Sequence, residues 1–182
     1  MEAKKPRKTD RRTLYTIGAI KDALLTLLET TAFDKITVAR LCRAAEITRT
    51  TFYLHFSDLT AVLDELLRDA LQVAEHSRLQ NGENPSPFVR QGGSVRLVRE
   101  YDALLPMCQR ITDSDKYRVL FRDESLSAYI IKTIYQYEKP IILPRLMQVR
   151  NLSEREAELV FCFMLNGSFA VNKALGWNKD EN

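Results

Sequence analysis

Between residues 47 and 56 the chain reads ITRTTFYLHF, and Arg49, Thr50, Thr51, Tyr53 and His55 all carry hydrogen-bond donors. Their chemistry is recognition rather than bond-making. A guanidinium presents two parallel N–H groups that match O6 and N7 of guanine. Threonine hydroxyls, a phenol and an imidazole N–H can donate to phosphate oxygens, which fixes a position on a duplex without reading a base. Thr48, just ahead, has a hydroxyl suited to cap a helix N-terminus. Phe52 and Phe56 are four apart, so both can anchor one face of a short helix while the polar groups look outward.

Chemistry of other kinds finds little support. The two histidines, His55 and His76, stand alone, and there is no Gly-rich phosphate loop, GxSxG or HExxH. Nothing supplies an activated nucleophile or a metal site, so no enzyme, no catalytic residue, no metal and no cofactor is expected. Carboxylates at Asp123-Glu124 and Glu154 to Glu158 read as helix-start charges facing solvent. Cys42, Cys108 and Cys162 are odd in number and far apart, which suits reduced thiols in the cytoplasm. A redox switch through Cys108 or Cys162 is the lesser reading.

These side chains need a folded support, and 182 residues with 45% hydrophobic and 28% charged content can bury a real core without disulfide staples. No stretch has the roughly 18 to 20 apolar residues of a membrane span, and the opening MEAKKPRKTDRR lacks an apolar signal core. The expectation is a cytoplasmic protein, neither exported nor anchored. The formal net charge of +3 is uneven: residues 1–60 hold eleven Lys/Arg against seven Asp/Glu. Lys4, Lys5, Arg7, Lys8, Arg11 and Arg12 make a basic arm of the kind that seeks phosphate.

Leu14, Ile17, Ile20, Leu24, Leu27 and Leu28 recur at helical spacing and predict a first helix over about 10 to 30. Thr37 caps a short second helix, about 38 to 45; Glu46 and Ile47 turn the chain; Thr48 caps a third. Two short helices across a tight turn make a helix-turn-helix pattern. Val38, Leu41, Cys42, Ala45, Ile47, Phe52 and Phe56 can close its core against the first helix. A longer helix is predicted over about 58 to 80, then a Pro/Gly-rich loop over 81 to 94. Further helices follow near 95 to 112, 114 to 121, 124 to 149 with a bend at Pro140 and Pro144, and 153 to 175. The last begins with a Ser153/Glu156 capping box and stops at Gly176. No alternating strand pattern appears, so the chain reads as all-α.

The run FDKITVARLCRAAEITRTTFYLHFSDLTAVLDELL, and TTFYLHF above all, resembles the DNA-binding region of TetR/AcrR-type transcriptional regulators over about residues 10 to 67. The resemblance implies an N-terminal three-helix head, residues 1–57, joined to a C-terminal helical domain, 58–182, that binds an effector and dimerises. Thr37 and Thr48 match positions that contact phosphate; Arg49 and Thr51 match positions facing base edges; Tyr53 and His55 match positions on the DNA backbone. With Thr50 these form the expected DNA-binding set. Two departures stand out: Glu46 occupies the turn position that is usually glycine, and Leu59 replaces a usual lysine.

For the second domain the resemblance implies a homodimer through the last two helices. Phe161, Leu165, Gly167, Phe169 and Ala170 are the expected interface, the small residues letting a partner helix approach. Tyr101, Met107, Cys108, Tyr117, Phe121, Tyr129 and Phe161 could line an apolar effector pocket with a few hydroxyls. No charge cluster singles out an anionic, cationic or metal ligand. The function implied is a one-component repressor that binds a pseudo-palindromic operator as a homodimer and is released by a small molecule, with double-stranded DNA as partner and no membrane. The alternative is a TetR-like helical interaction protein that has lost sequence-specific DNA binding and acts through a protein partner.

Overall fold

The computed structural model describes residues 11–80 and 115–177 and is all-α, with no strand among the described residues. The basic residues before Arg11, the loop expected over 81 to 94 and the helix expected over 95 to 112 lie outside them, as do Tyr101, Met107 and Cys108. Two compact units divide the chain, Met1–Glu65 and Leu66–Asn182, and the division falls inside one long helix.

The first unit contains α1 (Arg11–Leu28), α2 (Val38–Ala44), α3 (Arg49–Tyr53) and the beginning of α4 (Leu59–Gln80). A single 3-10 turn, Phe33–Lys35, leads into α2. α1 packs on α2, and α2 on α3. Ile20, Leu24, Leu41, Phe52, Phe56, Val62 and Leu63 are buried and form the core that fixes the short helices. Helices of seven and five residues do not hold in isolation, because nucleation costs more than so few hydrogen bonds return. Leu14 departs from the expected apolar face: it is exposed beside exposed Tyr15, in the first turns of α1 and ahead of the buried stretch that starts at Ile20.

The second unit holds the rest of α4, then α5 (Asp115–Arg122), a 3-10 turn (Glu124–Leu126), α6 (Ser127–Arg150) and α7 (Glu154–Ala174). The predicted start at 124 is therefore a separate turn. Asp123 makes it, its Oδ1 accepting the Ser125 N–H at 2.9 Å and the Ser125 hydroxyl at 2.7 Å, so this carboxylate is buried and structural rather than facing solvent. α6 runs on through both prolines, although neither can donate to the carbonyl four residues earlier.

Asn151 closes α6 in the left-handed region with φ 50°, and Ser153 caps α7. The capping box is complete: Glu156 N–H donates to Ser153 Oγ at 3.4 Å, and Ser153 N–H donates to Glu156 Oε2 at 2.8 Å. The Ser153 hydroxyl, donating to Glu156 Oε2 at 2.7 Å, and after it the Ser153 N–H hold the Glu156 carboxyl below its ordinary range. α7 packs on α6 and ends where Gly176, at φ 65°, turns Trp177 back against Phe121 and Phe169, with ring centroids 4.9 Å apart in each case.

Candidate nucleic-acid interface

Local hydrogen bonds set the geometry of the first unit's outer face. Thr37 is extended (φ −118°, ψ 154°), and its Oγ1 accepts the Arg40 N–H at 3.2 Å, capping α2. The turn after α2 is a Schellman motif: Ile47 N–H donates to Cys42 O at 3.0 Å and Glu46 N–H to Arg43 O at 3.2 Å. That pattern requires a left-handed residue, and Glu46 takes the position with φ 54°. The same two bonds end α7, from Trp177 to Asn172 and from Gly176 to Lys173, with glycine in the left-handed place.

α3 begins at Thr48, whose Oγ1 accepts the Thr51 N–H at 3.1 Å and lies 2.9 Å from the Thr51 hydroxyl. Phe52 is fully buried and Phe56 nearly so, their rings 6.0 Å apart. Helical bonding continues one residue past the helix, with Leu54 N–H donating to Thr50 O at 3.2 Å. Arg49, Tyr53, Thr50 and Leu54 therefore follow one another round an exposed arc of about 140°, while Phe52 and Phe56 are buried. Thr51 and His55 are half-buried at its edges. The outward surface is three polar groups and a leucine rather than the five donors expected.

Tyr53 meets Phe52 edge-on at 5.2 Å, which steadies the phenol where it leaves the core. Arg49 is close enough to act on Cys42. Burial pushes that thiol above its ordinary value and the guanidinium opposes the rise, so Cys42 is a neutral core residue. Glu46, exposed, adds a negative charge to the turn. Leu59 is half-buried at the start of α4, and the cap of that helix, missed in the sequence, is Asp58: its Oδ1 accepts the Ala61 N–H at 2.9 Å. An Asp immediately before an apolar helical run was the available signal.

Of the expected pocket residues, four lie among the described residues, and Tyr129 is half-buried. Tyr117, Phe121 and Phe161 are buried, with Phe121 packed on Phe169 and Trp177 and Phe161 stacked on Tyr135 at 5.2 Å and 18°. An open groove of about 1100 Å³ lies along α6, lined by Tyr135, Lys139, Leu143, Pro144, Met147 and Leu152 among others, and none of the four expected residues that are described lines it. At its edge Glu158 Oε1 accepts from the Tyr135 hydroxyl and from Lys139 Nζ. The Lys139 ammonium first, then the Tyr135 hydroxyl, holds the Glu158 carboxyl below its ordinary range; in return, chiefly through hydrogen bonds to Glu158, Lys139 and Tyr135 are raised. Glu158 thus ties α7 to α6, contrary to its expected role as a free helix-start charge.

Phe161, Leu165 and Phe169, expected on a dimer interface, are buried within one chain and belong to its own core. Gly167 is half-buried and Ala170 exposed. The apolar surface that α7 does leave open is the neighbouring stripe of Leu159, Val160, Phe163 and Val171, with Phe163 79% exposed. Among the described residues no cluster of His, Cys, Asp and Glu could hold a metal ion, and no helix is long and apolar enough to cross a membrane. Comparison with protein-family models, with curated proteins and with solved structures finds no match to this chain.

Proposed function

We propose that the chain is a TetR/AcrR-type transcriptional regulator, a homodimeric repressor whose α2–α3 helix-turn-helix docks in the major groove of a pseudo-palindromic operator. The observation that carries this reading is the exposed Arg49–Thr50–Tyr53–Leu54 face held out from a buried Phe52–Phe56 base. Arg49 reads a guanine, Thr50 and Tyr53 donate to phosphate or base acceptors, and the capped turns fix the approach. Thr37 and Thr48 act through the helix starts that they cap. The second copy docks on the outer stripe of α7, around Phe163 and Val171, so that two heads meet successive half-sites.

A small molecule taken up by the helical unit releases the operator through its unequal affinity for two states of the protein. Selection of bound duplexes from a random pool, at two salt concentrations, tests the reading. Enrichment of a palindrome, with binding that weakens steeply in salt, is the expected result. Weak binding to all duplexes alike would defeat it. One observation favours the alternative of a protein-binding helical module: exposed Glu46 places a carboxylate in the turn that leads to α3. In that case the pool yields no enriched sequence, and the outer face of α7 binds a different protein.

A further inference from the structure

Leu54 is 75% exposed and stands one turn from Thr50, at the edge of the exposed arc that also holds Tyr53 and Arg49. A single exposed leucine on an ordinary surface means nothing. This one sits inside the only outward face that α3 has, where its three companions all carry donors. Arg49, Thr50 and Tyr53 can exchange water for phosphate or base acceptors. An isobutyl group cannot, and pressing it on a carbonyl or an amine strips that group of water without compensation. In the major groove, the apolar feature that base edges offer is the C5-methyl group of thymine.

We infer that Leu54 is a specificity-determining residue that selects thymine in each half-site by packing on its methyl group. The inference rests on the DNA-binding reading above and adds to it a base and the atom that is read. Leu54 lies five residues after Arg49, about 140° round the helix with Tyr53 and Thr50 between them, so the thymine falls to one side of the guanine read by Arg49. Both contacts are made by one short helix, and together they define a contiguous core of each half-site.

The test uses the full-length protein and the duplex that it selects from a random pool. Each thymine is replaced in turn by deoxyuracil, which keeps every hydrogen bond and removes only the methyl. A replacement in one half-site should weaken binding by about fourfold, the effect of returning one methyl-sized group to water, and the matched replacement in both half-sites by about sixteenfold. Leu54→Ala should bind the thymine duplex as weakly as the unaltered protein binds the uracil duplex, and should be indifferent to the replacement. Because Leu54 is exposed, Leu54→Ala should keep the fold, which circular dichroism checks. If no thymine is sensitive, or if Leu54→Ala keeps the same sensitivity, the inference falls while the DNA-binding reading stands. Should the pool give no enriched duplex at all, both fall together.

Discussion

The hydroxyl oxygens of Thr48 and Thr51 lie 2.9 Å apart, and Thr48 Oγ1 also accepts the backbone N–H of Thr51 at 3.1 Å. Both hydroxyls are therefore engaged in starting α3, a helix of five residues that needs its cap. Thr48→Ala should cost about 1 kcal/mol of stability, the usual worth of an N-cap. Thr48→Ser should keep most of it. Urea denaturation of the three proteins checks this, and equal midpoints would show that the cap carries no weight.

Arg49 and Tyr53 share a face but are assigned different work. Arg49→Ala should lose about 1 to 3 kcal/mol on the selected duplex and relax preference at one base pair. Tyr53→Phe, which deletes only a hydroxyl, should weaken binding to selected and random duplexes alike. His55→Ala should behave like Tyr53→Phe, by a smaller amount because the ring is half-buried. Equal losses on both kinds of DNA for all three variants would remove base reading from Arg49.

Glu46 and Gly176 occupy the same place in two Schellman turns, with φ 54° and 65°. Only glycine adopts that conformation without a Cβ clash, so Glu46→Gly should raise stability by roughly 1 kcal/mol. It also removes a carboxylate from the turn before α3, and affinity for DNA should rise. Thermal melts and binding at one fixed salt concentration read the two effects separately. A variant that is more stable but binds no better would show that the Glu46 charge lies away from the phosphates.

Most of the helix boundaries were legible because their signals are local. Thr37, Thr48 and Ser153 all cap as their positions suggested, and Gly176 ends α7. What was not legible depends on which neighbour a face meets. α7 is apolar on two sides, so periodicity alone could not tell that Phe161, Leu165 and Phe169 are buried while Leu159 and Phe163 face out. Thr51 was misplaced for a related reason: a hydroxyl near a helix start can bond its own cap, and spacing does not show that it does. Asp123 and Glu158 looked like solvent-facing charges because their partners, a turn at Ser125 and side chains 19 and 23 residues away, are set by packing.

Glu158 gives stability a pH dependence whose sign can be worked out. Its folded carboxyl is held below the ordinary range, so its contribution is present above the unfolded value and is lost as pH falls through the folded one. Lys139 and Tyr135 are raised, so theirs is present at neutral pH and is lost as pH rises through their folded values. Melting temperature should therefore have a neutral plateau and fall on both sides. Glu158→Gln should lower the plateau and flatten both flanks, leaving on the acid side the part due to Glu156 and its capping box. Flanks unchanged in Glu158→Gln would mean that the tie between α6 and α7 does not matter in solution.

Phe161 and Phe163 are two residues apart on α7, yet one is 3% exposed and the other 79%. Phe161 stacks on Tyr135, so Phe161→Ala should open a core cavity and cost about 3 to 5 kcal/mol. Phe163→Ala removes nothing from that core, and the stability of an isolated chain should change by no more than about 0.5 kcal/mol. If the second copy docks on the outer stripe, the effect of Phe163→Ala appears in association instead. Sedimentation over a range of concentrations should show a dimer for the unaltered protein and a shift toward monomer for Phe163→Ala, with a smaller shift for Val171→Ala. Dimers that are unaffected by both changes would move the interface off this face of α7, and a monomer at every concentration would remove the two-headed mode of operator binding.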